Sequence, residues 1–158
     1  GLIIYMKKNK LKYLIWFVFC IYIAAMVYFL FFSERYGRTE VSGYRYNLKP
    51  FSEIKRYLKY YDTIGFEGFM LNIVGNVAAF VPFGFCMPVF AKSYRNFLVT
   101  FLNGLLIITC IETIQLVFMV GSFDVDDILL NITGVILGFF AYKIAVYIRK
   151  IISKNKGE

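Results

Sequence analysis

Four apolar runs, each about 20 residues long, leave this chain little choice of solvent. They extend from about Tyr13 to Phe32, Phe69 to Phe90, Asn96 to Val120 and Asp127 to Ile148. A helix of about 20 residues rises about 30 Å, the thickness of a bilayer's hydrocarbon core. Inside that core each backbone amide has to be bonded within its own segment, which favours helices. Of 158 residues, 59% are apolar, more than the surface of a soluble domain of this size would hide. The expected architecture is all-α: one polytopic membrane domain over residues 1–158, with four transmembrane helices.

Lys7, Lys8, Lys10 and Lys12 precede the first run. That run is longer than the apolar stretch of a signal peptide and no small-x-small cleavage site follows, so an uncleaved first helix is expected. The residues before Met6 add nothing to this expectation. Residues 33–68 are polar and mixed in charge and form the first loop. Within them Phe51, Ile54, Leu58 and Tyr61 fall at three- and four-residue spacings. This predicts a short amphipathic helix lying at the membrane surface. In the second run Pro82 frees the carbonyl of Ala78, and Pro88 is expected to end the helix.

The net charge of +8 does not point to nucleic acid. The basic residues flank apolar runs and form no repeated basic face, so lipid headgroups are the expected partner. The N-terminal segment, the Lys92–Arg95 loop and the C-terminal segment hold 11 of the 18 Lys and Arg residues, counting Lys143. By the positive-inside rule both termini should be cytoplasmic, with the first loop and the acidic turn outside. Cys20, Cys86 and Cys110 lie in apolar runs without metal spacing and are expected to pack. Histidine is absent, which removes His-based triads and HExxH zinc sites.

Against this background the polar residues of the runs stand out. Asn72, Gly75, Asn76 and Ala79 share one face of the second helix, and Glu112 and Gln115 share one face of the third. Asp124, Asp126 and Asp127 form an acidic turn. Asp127, Asn131, Gly134 and Gly138 make a stripe on the fourth helix. The expected topology puts all these polar groups at one depth, near the outer surface. Carboxylates at membrane depth are costly, so they should face one another and not lipid. The expected binding set is Asn72, Asn76, Glu112, Gln115, Asp124, Asp127 and Asn131, with Asp124 and Asp126 at its rim. Gly75, Gly134 and Gly138 are expected at helix contacts, where small residues admit close approach. The bland alternatives are interhelical amide bonds for the asparagines and helix capping for the acidic turn. No catalytic residue, metal ligand or cofactor is assigned. Mg²⁺ or Ca²⁺ held by Glu112, Asp124 and Asp127 stays open as an alternative.

The motifs Asn47-Leu-Lys-Pro-Phe51, Asn72-x-x-Gly-Asn76, Phe80-Val-Pro-Phe-Gly84 and Glu112-x-x-Gln115 follow one another along the chain. Gly121-x-x-Asp124-x-x-Asp127-x-x-x-Asn131-x-x-Gly134-x-x-x-Gly138 completes the pattern. Together they resemble the VanZ-like family over roughly Asn47 to Gly138. The resemblance implies a bacterial cytoplasmic-membrane protein linked to resistance to teicoplanin-type glycopeptide antibiotics. Ser122 departs from the pattern, since many members carry Arg there. A cation for the carboxylates would then have to come from the Arg35–Lys59 loop.

Three functions fit these residues. The first is a binding or envelope-modulating protein, whose outer pocket holds a lipid, a lipid-linked cell-wall precursor or an amphiphilic antibiotic. The second is a membrane enzyme acting on envelope lipids or glycans, with Glu112 as general acid or base and Asp127 beside it. The third is a transporter or structural partner, with the Gly134 and Gly138 face supporting a homodimer.

Overall fold

The computed structural model describes residues 2–32 and 44–155, with side chains described from Tyr13 onward, Ile64 aside. Arg35, Arg38 and Lys156 lie outside the described residues, as do the side chains of Lys7, Lys8, Lys10 and Lys12. Contacts within the chain form two compact units, Gly1–Val41 and Ser42–Glu158.

The first unit holds helix α1, Leu2–Phe32. It starts well before the apolar run, because the lysine-rich segment is itself helical. Tyr13, Leu14, Phe17, Val18 and Ile21 are all exposed, an apolar surface suited to lipid.

The second unit begins with a two-residue strand, β1 (Tyr46–Asn47). The surface helix follows as α2, Ser52–Lys59. Its Ile54 and Tyr57 are half-buried, whereas Phe51 and Leu58 are exposed. Helix α3, Tyr61–Phe69, is broken at Gly65, whose φ of 78° is open to glycine at little cost. A π-helical turn, Met70–Val74, leads into α4, Gly75–Phe90. α4 continues through Pro82 and past Pro88 for two more residues. The expected stop at Pro88 is therefore corrected: the helix ends at Ala91, where the chain turns extended. A short 3-10 turn, Lys92–Arg95, connects to α5, Phe97–Val117. The Asn96 side chain starts α5 by accepting the amides of Leu98 at 2.8 Å and Val99 at 3.4 Å.

α5 stops three residues before the apolar run does. Met119 takes a left-handed φ of 53°. The Val120 amide then bonds the Gln115 carbonyl at 3.0 Å, and the Met119 amide bonds that of Leu116 at 3.1 Å. These are the paired bonds of a left-handed helix stop, usually built on glycine. A methionine there gives no warning in the sequence. Strand β2, Phe123–Asp124, and helix α6, Val125–Asn155, complete the unit. At 31 residues α6 is about 46 Å long, so its end with Arg149, Lys150 and Lys154 outruns the hydrocarbon core.

Among the described residues, four helical segments are long and apolar enough to cross a membrane: Tyr13–Phe31, Gly65–Phe90, Phe97–Val117 and Val125–Asn155. The protein is all-α and multi-pass.

The tightest packing joins α4 to α6. A Cβ on Gly134 would lie 2.1 Å from the Val77 carbonyl oxygen, and one on Gly138 2.1 Å from that of Val81. One turn along α6 thus matches one turn along α4, so the two helices run parallel and backbone touches backbone. Gly84 makes the reciprocal approach, 2.1 Å from the Val135 carbonyl oxygen. Gly75 behaves differently: a Cβ there meets only the Met70 carbonyl, at 3.6 Å. α5 fits against α6 through Gly104, where a Cβ would lie 3.0 Å from the Val135 side chain. At the basic end, Lys143 Nζ donates to the Arg95 carbonyl at 3.0 Å and ties α6 to the 3-10 turn.

Gly138→Val and Gly84→Val should each lower the thermal unfolding temperature in detergent, with an overpacking cost of about 1–3 kcal/mol or more. Gly75→Ala should leave it unchanged or raise it, since alanine gains up to about 1 kcal/mol over glycine in a helix. Differential scanning fluorimetry on the purified variants compares the three.

Candidate functional site

Parallel α4 and α6, with α5 between them in sequence, bring the starts of α4 and α6 and the end of α5 to one level. The acidic turn and the first loop meet there. β1 pairs in parallel with β2, Tyr46 opposite Phe123 and Asn47 opposite Asp124. The Asn47 Nδ2 donates to Asp124 Oδ1 at 3.1 Å and to Ser52 Oγ at 2.7 Å. Its Oδ1 accepts the Lys49 amide at 3.1 Å, which shapes the Lys49–Pro50 turn.

That turn delivers the start of α2 to Asp126. Phe51 sits at the cap position with a left-handed φ of 64° and has no side-chain acceptor to offer. The Asp126 carboxylate takes over the task. It accepts the amides of Phe51, of Glu53 at 2.7 Å and of Ile54 at 3.1 Å. Three helix-terminal donors on one carboxylate satisfy both the orphan amides and the positive end of the helix dipole. Asp126 is 0% exposed. The expected rim position is therefore corrected: Asp126 is a buried clasp. The sequence signal lay in α2 itself, a helix that begins without a capping residue of its own.

The other acids each have a distinct place. Asp124 accepts the Asp126 amide at 2.8 Å and is buried, not rimming an opening. Burial pushes its carboxyl above the ordinary aspartate range, and the Asp126 amide and Asn47 oppose that. Glu112 is 2% exposed, and its Oε2 accepts the Asp124 amide at 3.2 Å. Asp127 Oδ1 accepts Asn76 Nδ2 at 2.7 Å, a direct link between α6 and α4. Asn131, one turn further, is 2% exposed, and its Oδ1 is the one buried side-chain atom without a partner among the described residues.

Asn72 bonds within its own segment, and Gln115 lies beside the turn. Asn72 donates to the Gly68 carbonyl of its own helical segment at 2.8 Å. Gln115 packs against Gly121, where a Cβ would lie 3.3 Å from its own. Asn76, Glu112, Asp124, Asp127 and Asn131 thus form the polar layer, and Asn47 and Asp126 join it from the loop and the turn.

Positive charge does not enter this layer through an ion pair among the described residues. Arg56 pairs instead with Glu53, at 2.5 Å. Backbone and asparagine amides bond these carboxylates; the expected loop cation falls partly on Arg35 and Arg38, outside the described residues. Among the described residues no three carboxylates converge into a group that would hold a metal ion.

A family model described as VanZ/LLP1 matches residues 19–146. The chain belongs to the VanZ/LLP1 family. It is 27% identical over 125 residues to Protein VanZ of Enterococcus faecium, covering 77% of this chain and 69% of that protein. No solved structure matched. In this VanZ/LLP1 chain, the matched segment contains the whole polar layer and the clasp.

Asp126→Ala should free the start of α2, with a local cost of about 1–3 kcal/mol from the orphaned amides. Hydrogen exchange should accelerate at the Phe51, Glu53 and Ile54 amides, with little change in the middle of α4. Unchanged protection at those three amides would show that the carboxylate does not hold the helix.

Proposed function

We propose that this chain is an envelope protein of the VanZ type, which modulates the response to glycopeptide and lipoglycopeptide antibiotics. It does so by holding the polar head of a lipid or lipid-linked envelope ligand. The head enters the layer of Asn76, Glu112, Asp127 and Asn131, while acyl chains stay in the surrounding lipid. The layer faces outward, with both termini in the cytoplasm of a bacterial cell.

The observation that carries this reading is a buried polar layer whose acids have no ion-pair partner among the described residues. Carboxylates at membrane depth are costly unless they are paired or serve a ligand. Here amides bond Glu112 and Asp127, and neither has an ion-pair partner among the described residues. Family membership adds support for an envelope role. The surface helix α2, clasped beside the layer, gives an amphiphile an apolar flank through Phe51 and Leu58.

In a susceptible Gram-positive host, the natural chain should shift the inhibitory concentration of a lipoglycopeptide. Glu112→Gln and Asp127→Asn, inserted at the same level, should return it to that of cells lacking the protein. An undiminished shift in both variants would overturn the reading.

A further inference from the structure

We propose that the polar layer takes a primary ammonium group, with Asn131, Asp127 and Glu112 as its acceptors. This rests on the ligand-holding function above and names the chemistry of the head. The starting point is the Asn131 side-chain oxygen, buried and without a donor. Such atoms are rare in folded proteins, and each calls for a specific explanation. Side chains on a helix lean toward its N-terminus. Asn131 therefore leans toward Asp127, one turn before it and bonded to Asn76. In the opposite direction Gly134 lies against the Val77 backbone and leaves no space. The unpartnered oxygen thus belongs to a buried side chain one turn from Asp127 on the same stripe of α6.

The remaining members present acceptors as well. Asp127 engages Asn76 through Oδ1, and Glu112 engages the Asp124 amide through Oε2. An ionised carboxylate carries further lone pairs on both oxygens and has no donor. With its acids ionised, the layer offers acceptors and negative charge. Its complement is a compact group with positive charge and donors only, and an ammonium with three N–H bonds has both. A phosphate would meet like charge. A quaternary ammonium carries the charge but lacks the N–H donors. Water satisfies an oxygen but does not neutralise the acids once they are ionised. Two envelope sources present a primary ammonium on an amphiphile: a phospholipid head such as ethanolamine, and an amino sugar.

The test uses the full chain in nanodiscs of phosphatidylglycerol doped equally with phosphatidylethanolamine and phosphatidylcholine of the same acyl chains. Lipids retained after gentle detergent extraction are counted by mass spectrometry. In a second arm an alkyl glucosaminide and the matching alkyl glucoside compete for the retained lipid. Retention of phosphatidylethanolamine over phosphatidylcholine by about tenfold, the size of one charge-assisted contact, supports a phospholipid head. Displacement by the glucosaminide but not the glucoside supports an amino sugar. Either preference should vanish in Asn131→Leu, while the unfolding temperature without added amine holds or rises, because an unsatisfied atom has been removed. Asn131→Ala supplies the same comparison if the leucine variant does not insert. A lower unfolding temperature with the preference intact would make Asn131 a purely structural group and overturn the assignment. Equal retention of both lipids, with no discrimination between the glycosides, also overturns the ammonium. The ligand-holding reading survives that result if Glu112→Gln still lowers total retention, and falls if retention ignores that variant.

Discussion

The buried Asp126 carboxylate is the joint on which the loop end of this protein depends. Helix α2 starts at Phe51, a residue with no acceptor to turn back on its own amides. Unbonded amides at a helix start are costly wherever water is scarce. Asp126 removes that cost from the first turn of another helix. Asn47 and Asp124 reinforce the joint through the short parallel ladder. The acidic turn therefore spends its carboxylates unequally. Asp126 and Asp124 fasten the loop, which leaves Asp127 and Glu112 to define the character of the layer beneath.

That layer needs a stiff foundation, and the glycine seam supplies it. Gly84, Gly134 and Gly138 let α4 and α6 approach until backbone meets backbone. In lipid, where apolar side chains gain little by leaving their surroundings, such contact is a main source of helix association. The seam also fixes register. With Gly134 against Val77, the Asp127 side chain falls beside Asn76 and the two bond directly. Packing and polar pairing thus select the same alignment.

Much of the fold was legible because lipid imposes a length rule, and four runs of about 20 residues satisfy it in plain view. The stripe from Asp127 to Gly138 also declared which face of α6 would be occupied, since helical spacing is a local property. The ends of the helices were less legible. Met119 in a left-handed geometry looks like any apolar residue, and Pro88 stops a helix only when the chain beyond it has somewhere better to go. Least legible was Asp126. The partners of its carboxylate lie 72 to 75 residues away, and proximity across such a distance is a product of the finished fold. The unpartnered oxygen of Asn131 was hidden for the same reason: composition announces an amide but not who fails to meet it.

The separation between α2 and its clasp also orders events during biogenesis. A ribosome completes the Phe51–Ile54 segment long before it reaches Asp126, and the carboxylate takes up its position only once the last span has entered the bilayer. Until then those amides have water as their partner. Closure of that segment therefore reports that insertion is complete, which makes the loop a structural seal on a finished molecule and leaves a stalled one open to proteolysis.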